Sequence, residues 1–283
     1  MMVAISFAII IFCFWYFLFP YAVVAQERLF VWDTEYWQEY SIIQYVRDFF
    51  LQFFHYAWLG SLLLALSCFM IQLLVWWLLS KFRKSSVLFI ISFIPAILIL
   101  YLMYVNVVVN KEELSYDFLQ RRGQWEQIIQ KSDNAYPQSL ACQYVVSMAK
   151  HQTGRIGDNE MFTDLTLTNN AINSRTAAYM MSDIYMYAGL VNLSQRASFE
   201  AMASIEDFSM SGRALQRLTE TALVTGQYRV AEKYISILEK TVYYRAFAQR
   251  IRPLLYNSEL IESHPVYGNL KRVYSNTKDV LFN

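Results

Sequence analysis

Apolar and polar positions divide this chain into two regimes. From Val3 to Ala25 no residue is charged, and a helix of that length crosses a hydrocarbon core of roughly 30 Å. It is predicted to span a bilayer. A signal peptide is the rival reading, with Val23 and Ala25 small enough for a cleavage position; no basic residue precedes the run, and it outlasts the usual core of about 7–15 residues. Uncharged apolar runs return at about 56–80 and 87–109, the second and third predicted spans. Between the first two, Ile42, Ile43, Tyr45, Val46, Phe49, Phe50, Phe53 and Phe54 recur at helical spacing opposite Gln44, Arg47, Asp48 and Gln52. That pattern predicts an interfacial helix over 41–54. Trp32, Tyr36, Trp37 and Tyr40, interleaved with Asp33, Glu35 and Glu39, are expected at the membrane surface with their rings among headgroups.

Beyond Asn110 the periodicity stays helical but the faces become amphipathic. An apolar face ends at Leu223, Gly226 supplies a turn, and Tyr228, Ala231, Ile235 and Leu238 follow at helical spacing. This resembles the centre of a tetratricopeptide repeat: glycine for the tight turn, an aromatic in the crook, alanine where the second helix approaches the first. Weaker versions occur at Gly189, followed by Val191, Ser194 and Ala201, and at Gly123 with Trp125 ahead of Ile128 and Ile129. With Gly154, the glycines stand 31, 35 and 37 residues apart, scattered around the roughly 34 of that repeat. The predicted fold class is therefore all-α, with about three N-terminal transmembrane helices and an extramembrane array of tetratricopeptide-like helical hairpins. The expected domains are a membrane region over 1–110, the array over 111–257, and a tail over 258–283. Residues 158–174, rich in Thr and Asn, fit the array least well.

Charge sharpens this division. All but five of the 24 Lys and Arg, and all but five of the 23 Asp and Glu, follow Val109. Nineteen basic against 18 acidic residues there give no surplus for phosphate, which argues against nucleic acid as a partner. The turn Lys81-Phe82-Arg83-Lys84-Ser85-Ser86 carries three basic residues, against Arg28 and Arg47 in the longer preceding loop. By the positive-inside rule it is cytoplasmic. The N-terminus is then also cytoplasmic, and the array faces outward, which in a bacterium is the periplasmic side of the inner membrane.

The same residues resemble a known family. Tyr21 to Glu39, Gly226-Gln227-Tyr228-Arg229-Val230-Ala231-Glu232-Lys233-Tyr234 through Tyr244-Arg245, and His264-Pro265-Val266-Tyr267-Gly268 are similar to uncharacterised polytopic membrane proteins of Bacteroidetes with a tetratricopeptide-like C-terminal region. The family pattern has more spans before the helical region and runs on past the equivalent of Val280 to Asn283, so the resemblance implies a shortened member or a fragment. It brings no catalytic motif.

Candidate chemistry is sparse. Inside the spans Gln72, Asn106 and several Ser are polar and none is ionisable, which argues against an ion-coupled pump. Ala57, Ser61 and Ala65 form a small-residue stripe that lets another helix approach closely, with packing inside the chain the favoured use. Cys13 and Cys68 fall in apolar spans and Cys142 stands alone, giving neither a disulfide framework nor zinc spacing. His55, His151 and His264 lack neighbours at metal-ligand spacing, and no phosphate loop, Gly-x-Ser-x-Gly or His-Glu-x-x-His occurs. No cofactor is expected. Tyr243-Tyr244-Arg245 with Arg250 and Arg252 reads as a cap on the last hairpin, or as a basic aromatic site for an anionic partner. The expected function is a protein–protein interaction scaffold held beside the bilayer. The alternative is an envelope enzyme or transport component for an amphiphilic or lipid-linked substrate, with Asp33, Glu35 and Glu39 in its cleft.

Overall fold

Proline decides the shape of the first apolar segment. In the computed structural model, which describes residues 2–33, 41–82, 85–162, 171–205 and 210–276, helix α1 (Met2–Cys13) runs on as a wider turn over Phe14–Leu18. It breaks at Phe19, and α2 (Pro20–Val24) begins anew. Proline lacks an N–H and excludes the preceding residue from the α region; Phe19 accordingly sits at φ −134°, ψ 45°. The expected unbroken helix over 3–25 is thus an apolar helix over Met2–Leu18 followed by a short second piece. Reciprocal hydrogen bonds between Ser41 and Gln44 close a capping box ahead of α3 (Ile42–Leu51), which ends in a tight turn over Gln52–His55. Two helices are long and apolar enough to cross a membrane, Ala57–Ser80 (α4) and Ser86–Val109. The latter loosens at Ser92 and Phe93, ahead of Pro95, into α5 (Ser86–Ile91) and α6 (Ile94–Val109).

The remaining helices form hairpins. They are α7 (Lys111–Arg121) with α8 (Trp125–Asn134), α9 (Leu140–Gln152) with the short α10 (Asp158–Phe162), α11 (Arg175–Tyr187) with α12 (Val191–Ala203), and α13 (Gly212–Val224) with α14 (Tyr228–Glu239). Then come α15 (Arg245–Ile251), α16 (Ser258–Ser263) and α17 (Tyr267–Asn276). Among the described residues no strand occurs.

The first helix of each pair ends in the same way. Gly123, Gly154, Gly189 and Gly226 have φ between 62° and 79°. Each donates its N–H to the carbonyl three residues back, and the next residue donates to the carbonyl five back, as Gln227 does to Ala222 at 2.8 Å. That is a Schellman cap, which needs a left-handed residue at its centre. Nothing lies within 4 Å of a Cβ placed on Gly226 or on Gly157, and Gly157 has no positive φ. Gly226→Ala is therefore expected to lose about 1 kcal/mol of stability through backbone strain alone. Gly157→Ala should be neutral; equal urea midpoints for the two variants in detergent would contradict this.

Two compact units result, one of residues 1–27 and 49–114, the other of 28–48 and 115–283. In the first, α4 turns Gly60, Ser61, Leu64, Ala65, Cys68 and Gln72 inward and leaves Trp58, Leu62, Leu66, Met70, Leu74 and Trp77 exposed. In the second, one cluster gathers Ile128, Val145, Met180, Met181 and Ile184, and another Leu215, Leu223, Ile235, Phe247 and Ile251. α11 contributes to both, through Met180 and Met186. It approaches α12 closely because Ala178, Ala197 and Ala201 are small, and Ser182 and Ser198 share a 2.7 Å hydrogen bond between them.

Two segments sit where the sequence reading did not put them. Leu29, Phe30 and Val31 are at most 6% exposed; Leu29 and Val31 join the core with Leu215, Ala231 and Tyr244. The Leu29 N–H donates to the Met210 carbonyl at 3.1 Å, and that of Trp32 to Lys240 at 2.9 Å. An extended chain offers alternate side chains to opposite sides: Phe30 packs on Tyr45, ring centres 4.7 Å apart. Residues 28–33 are thus a strap in the helical unit; of the rings expected at headgroup level, Trp32 is 55% exposed and Tyr36, Trp37 and Tyr40 lie outside the described residues. Residues 258–276, expected as a tail, are α16 and α17, with Ile261, Tyr267 and Leu270 in the core.

Candidate interaction face

Charged side chains on α7, α11 and α13 meet in a part-exposed cluster. Arg213 and Arg217 lie one helical turn apart, so their guanidiniums project from one face of α13. Arg213 donates to Asp117 at 2.7 Å and to Asp183 at 2.6 Å; Arg217 donates to Asp183 and to Glu220, both at 2.8 Å. The Tyr267 hydroxyl of α17 donates to the other Glu220 oxygen at 3.2 Å, and Arg213 lies 4.8 Å from the centre of the Tyr179 ring. Side-chain exposure ranges from 9% at Asp117 to 23% at Arg217.

This arrangement fixes its protonation states. Burial works to raise the Asp183 carboxyl, but the guanidiniums of Arg213 and Arg217 outweigh it and hold the group at about 2. Burial, together with the neighbouring Glu220 carboxylate, pushes the Tyr267 phenol up. Asp183 is consequently ionised at neutral pH and serves as an anchor for two cations rather than as a proton shuttle. The Arg217 Nε is buried and has no acceptor among the described residues.

The residues singled out from sequence occupy definite places. Gly123, Gly189 and Gly226 are the centres of three caps. The Trp125 indole lies 3.7 Å from a Cβ placed on Gly123. Tyr228 packs against the second core cluster, and Ala231 is wholly buried in it. Ser61 and Ala65 are buried in the first unit and Ala57 is half-buried, so the stripe faces inward at two of its three positions. Asp33, one of three carboxylates the cleft reading would use, pairs with Lys240. The other members of that loop, Glu35 to Tyr40, lie outside the described residues, as do Arg83, Lys84 and 277–283.

The histidines and the basic aromatic cluster have local partners. His151 Nδ1 is 2.7 Å from the Tyr187 hydroxyl and Nε2 is 2.6 Å from Asp158. His55 lies 3.1 Å from Glu27. The imidazole of His264 accepts from the N–H groups of Val266 and Tyr267 at 3.3 Å, closing the turn around Pro265. Arg245 donates to the Glu239 carbonyl, and Arg252 makes two hydrogen bonds to its carboxylate. Among the described residues, no group of three or more His, Cys, Asp or Glu is arranged to hold a metal ion.

Sequence reading missed the charged cluster. One signal was present: Asp183 interrupts the otherwise uncharged run Tyr179-Met180-Met181-Ser182-Asp183-Ile184-Tyr185 on a helix that must be buried on most sides. Buried acids are rare without partners, so the run implied basic residues elsewhere.

A family described as of unknown function, DUF6057, matches residues 1–110 and 104–283, which together cover the whole chain; the protein belongs to that family. No curated protein matches it, and no solved structure does.

Proposed function

We propose that this DUF6057 member is a membrane-anchored scaffold: an array of tetratricopeptide-like hairpins that binds another protein on the outer, periplasmic side of an inner membrane. The observation that carries the reading is the recurrence of one cap geometry at Gly123, Gly154, Gly189 and Gly226. Stacked hairpins of that period build extended binding surfaces from their first helices. Here those helices present the Asp117–Arg213–Asp183–Arg217–Glu220 cluster.

Membrane anchoring is supported by the first unit, which leaves large apolar side chains outside and keeps Ser61, Gln72 and Ser92 inside, with Gln72 donating to Ser92 at 3.0 Å. The strap agrees with two crossings after it, and α1 is the third span of this reading. Residues 28–33 share a core with residues after 115, so both must lie on one side of a bilayer. An even number of crossings between them satisfies that, and α4 with α5–α6 supplies two. The basic turn beginning at Lys81 then favours the outer side for the array.

A photo-crosslinking phenylalanine analogue tests the reading. Placed at Tyr179, on the first-helix face, it is expected to form a discrete protein adduct in cells; placed at the exposed Lys233 on α14 it should form none. Adducts from Lys233 alone, or from neither site, would sink the scaffold. Lys233→Cys should react with a membrane-impermeant maleimide on intact spheroplasts, and labelling only after lysis would reverse the orientation.

A further inference from the structure

The last helix does not continue the stack in order. A helix that merely closed the end of the array would lie on its predecessor alone. α17 packs on its predecessor α16 but also returns to α13, and reaches the turn between α11 and α12. Three contacts seat it. Tyr267 is buried and its hydroxyl meets Glu220 in the charged cluster. Leu270 enters the core beside it. Val273 rests on Gly189, where a Cβ would come within 2.7 Å of the valine methyl. These residues are three apart, so they share one face of α17.

We propose that the surface formed by α13 and the turn after α11 is a helix-binding site, and that α17 occupies it in cis until a partner protein displaces it. The partner's chemistry is written in its placeholder: an amphipathic helix presenting an aromatic hydroxyl, a leucine and a β-branched residue at intervals of three. The hydroxyl reads the Glu220–Arg217 pair, and the β-branched residue reads the bare Cα of Gly189. This deepens the scaffold reading and rests on it. An attached helix competes at an effective concentration in the millimolar range for a short linker, so the site is closed to weak ligands and open to one of matching pattern.

The test uses the full chain in detergent and a fluorescent synthetic peptide of residues 264–276. Leu270→Asp combined with Val273→Asp should lift α17. That variant is expected to bind the peptide at least about tenfold more tightly than the wild type does, and a Tyr267→Ala peptide should not bind. A variant with unchanged helix content that binds no peptide overturns the proposal. The wild type gives an independent reading: excess unlabelled peptide should speed tryptic cleavage after Lys271 and Arg272, and an unchanged rate also overturns it. If light scattering shows a dimer with α17 exchanged, the occupant is a second copy and not a separate partner. If crosslinking at Tyr179 finds a protein while both peptide tests fail, the scaffold stands and only this assignment falls.

Discussion

Replacing Arg213 with alanine should lower the stability of the helical unit by about 3 kcal/mol, read as a fall in the urea midpoint of the detergent-solubilised chain. The size follows from what is left behind. Asp117 and Asp183 are 9% and 20% exposed, and each takes a guanidinium hydrogen bond from Arg213. Removing one partner of a buried ion pair costs more than the pair contributes, because the remaining charge cannot regain its hydration. Partial exposure of Asp183 keeps the loss at the lower end of the usual range of roughly 3–5 kcal/mol. Changing the three together, Arg213→Met with Asp117→Leu and Asp183→Leu, should recover most of it, since no uncompensated charge then remains. If the single and triple variants lose the same amount, the geometry matters more than the charge and this account fails.

Acid gives a second view of the same cluster. The folded-state value of Asp183, about 2, lies below its ordinary value. Its contribution to stability is therefore fully present above about pH 4 and is lost as pH falls toward 2, on the order of 2 kcal/mol in all. Without Arg213 the depression shrinks. The urea midpoint of the Arg213→Ala variant should accordingly depend less on pH across that window than the wild type's.

Local grammar was legible in the sequence, and long-range grammar was not. A Schellman cap involves six consecutive residues and needs a left-handed centre, so the glycine turns, with Trp125, Tyr228 and Ala231 after them, could be placed before any fold was known. The two long apolar helices were legible because a run of that length has few other uses. Pro20 was visible but was read through, although its chemistry forbids the continuous helix drawn across it. The pairing of Asp117 with Arg213 joins residues 96 apart, and that of Asp33 with Lys240 joins residues 207 apart. No helical period encodes either. Aromatic and acidic residues between two apolar helices suggest an interface loop, and nothing local in them also signals a strap; the hydrogen bonds to the Met210 and Lys240 carbonyls do.

That contrast yields the second large effect. Leu29→Asp is expected to destabilise the helical unit by several kcal/mol, since it puts an unpaired carboxylate where a buried leucine stands. For a unit of this size that corresponds to a fall of roughly 10 °C in its melting temperature. Trp32→Ala, at a position 55% exposed, should change it little. An interface loop would reverse the order: the tryptophan would anchor at headgroup level and the leucine would tolerate a charge. Melting curves of the two variants in the same detergent separate the readings, and a larger loss at Trp32 would return residues 28–33 to the membrane surface. With the strap, the compact helical unit takes in residues 28–48 as well as 115–283, where the sequence suggested a domain over 111–257. Its second core cluster closes only with Leu29 and Val31, which are supplied from between the first apolar helix and α3. A fragment beginning at Lys111 leaves that apolar seam open to water, and is expected to melt lower than the same unit in the full chain. A peptide of residues 27–34 added in trans should restore part of the difference.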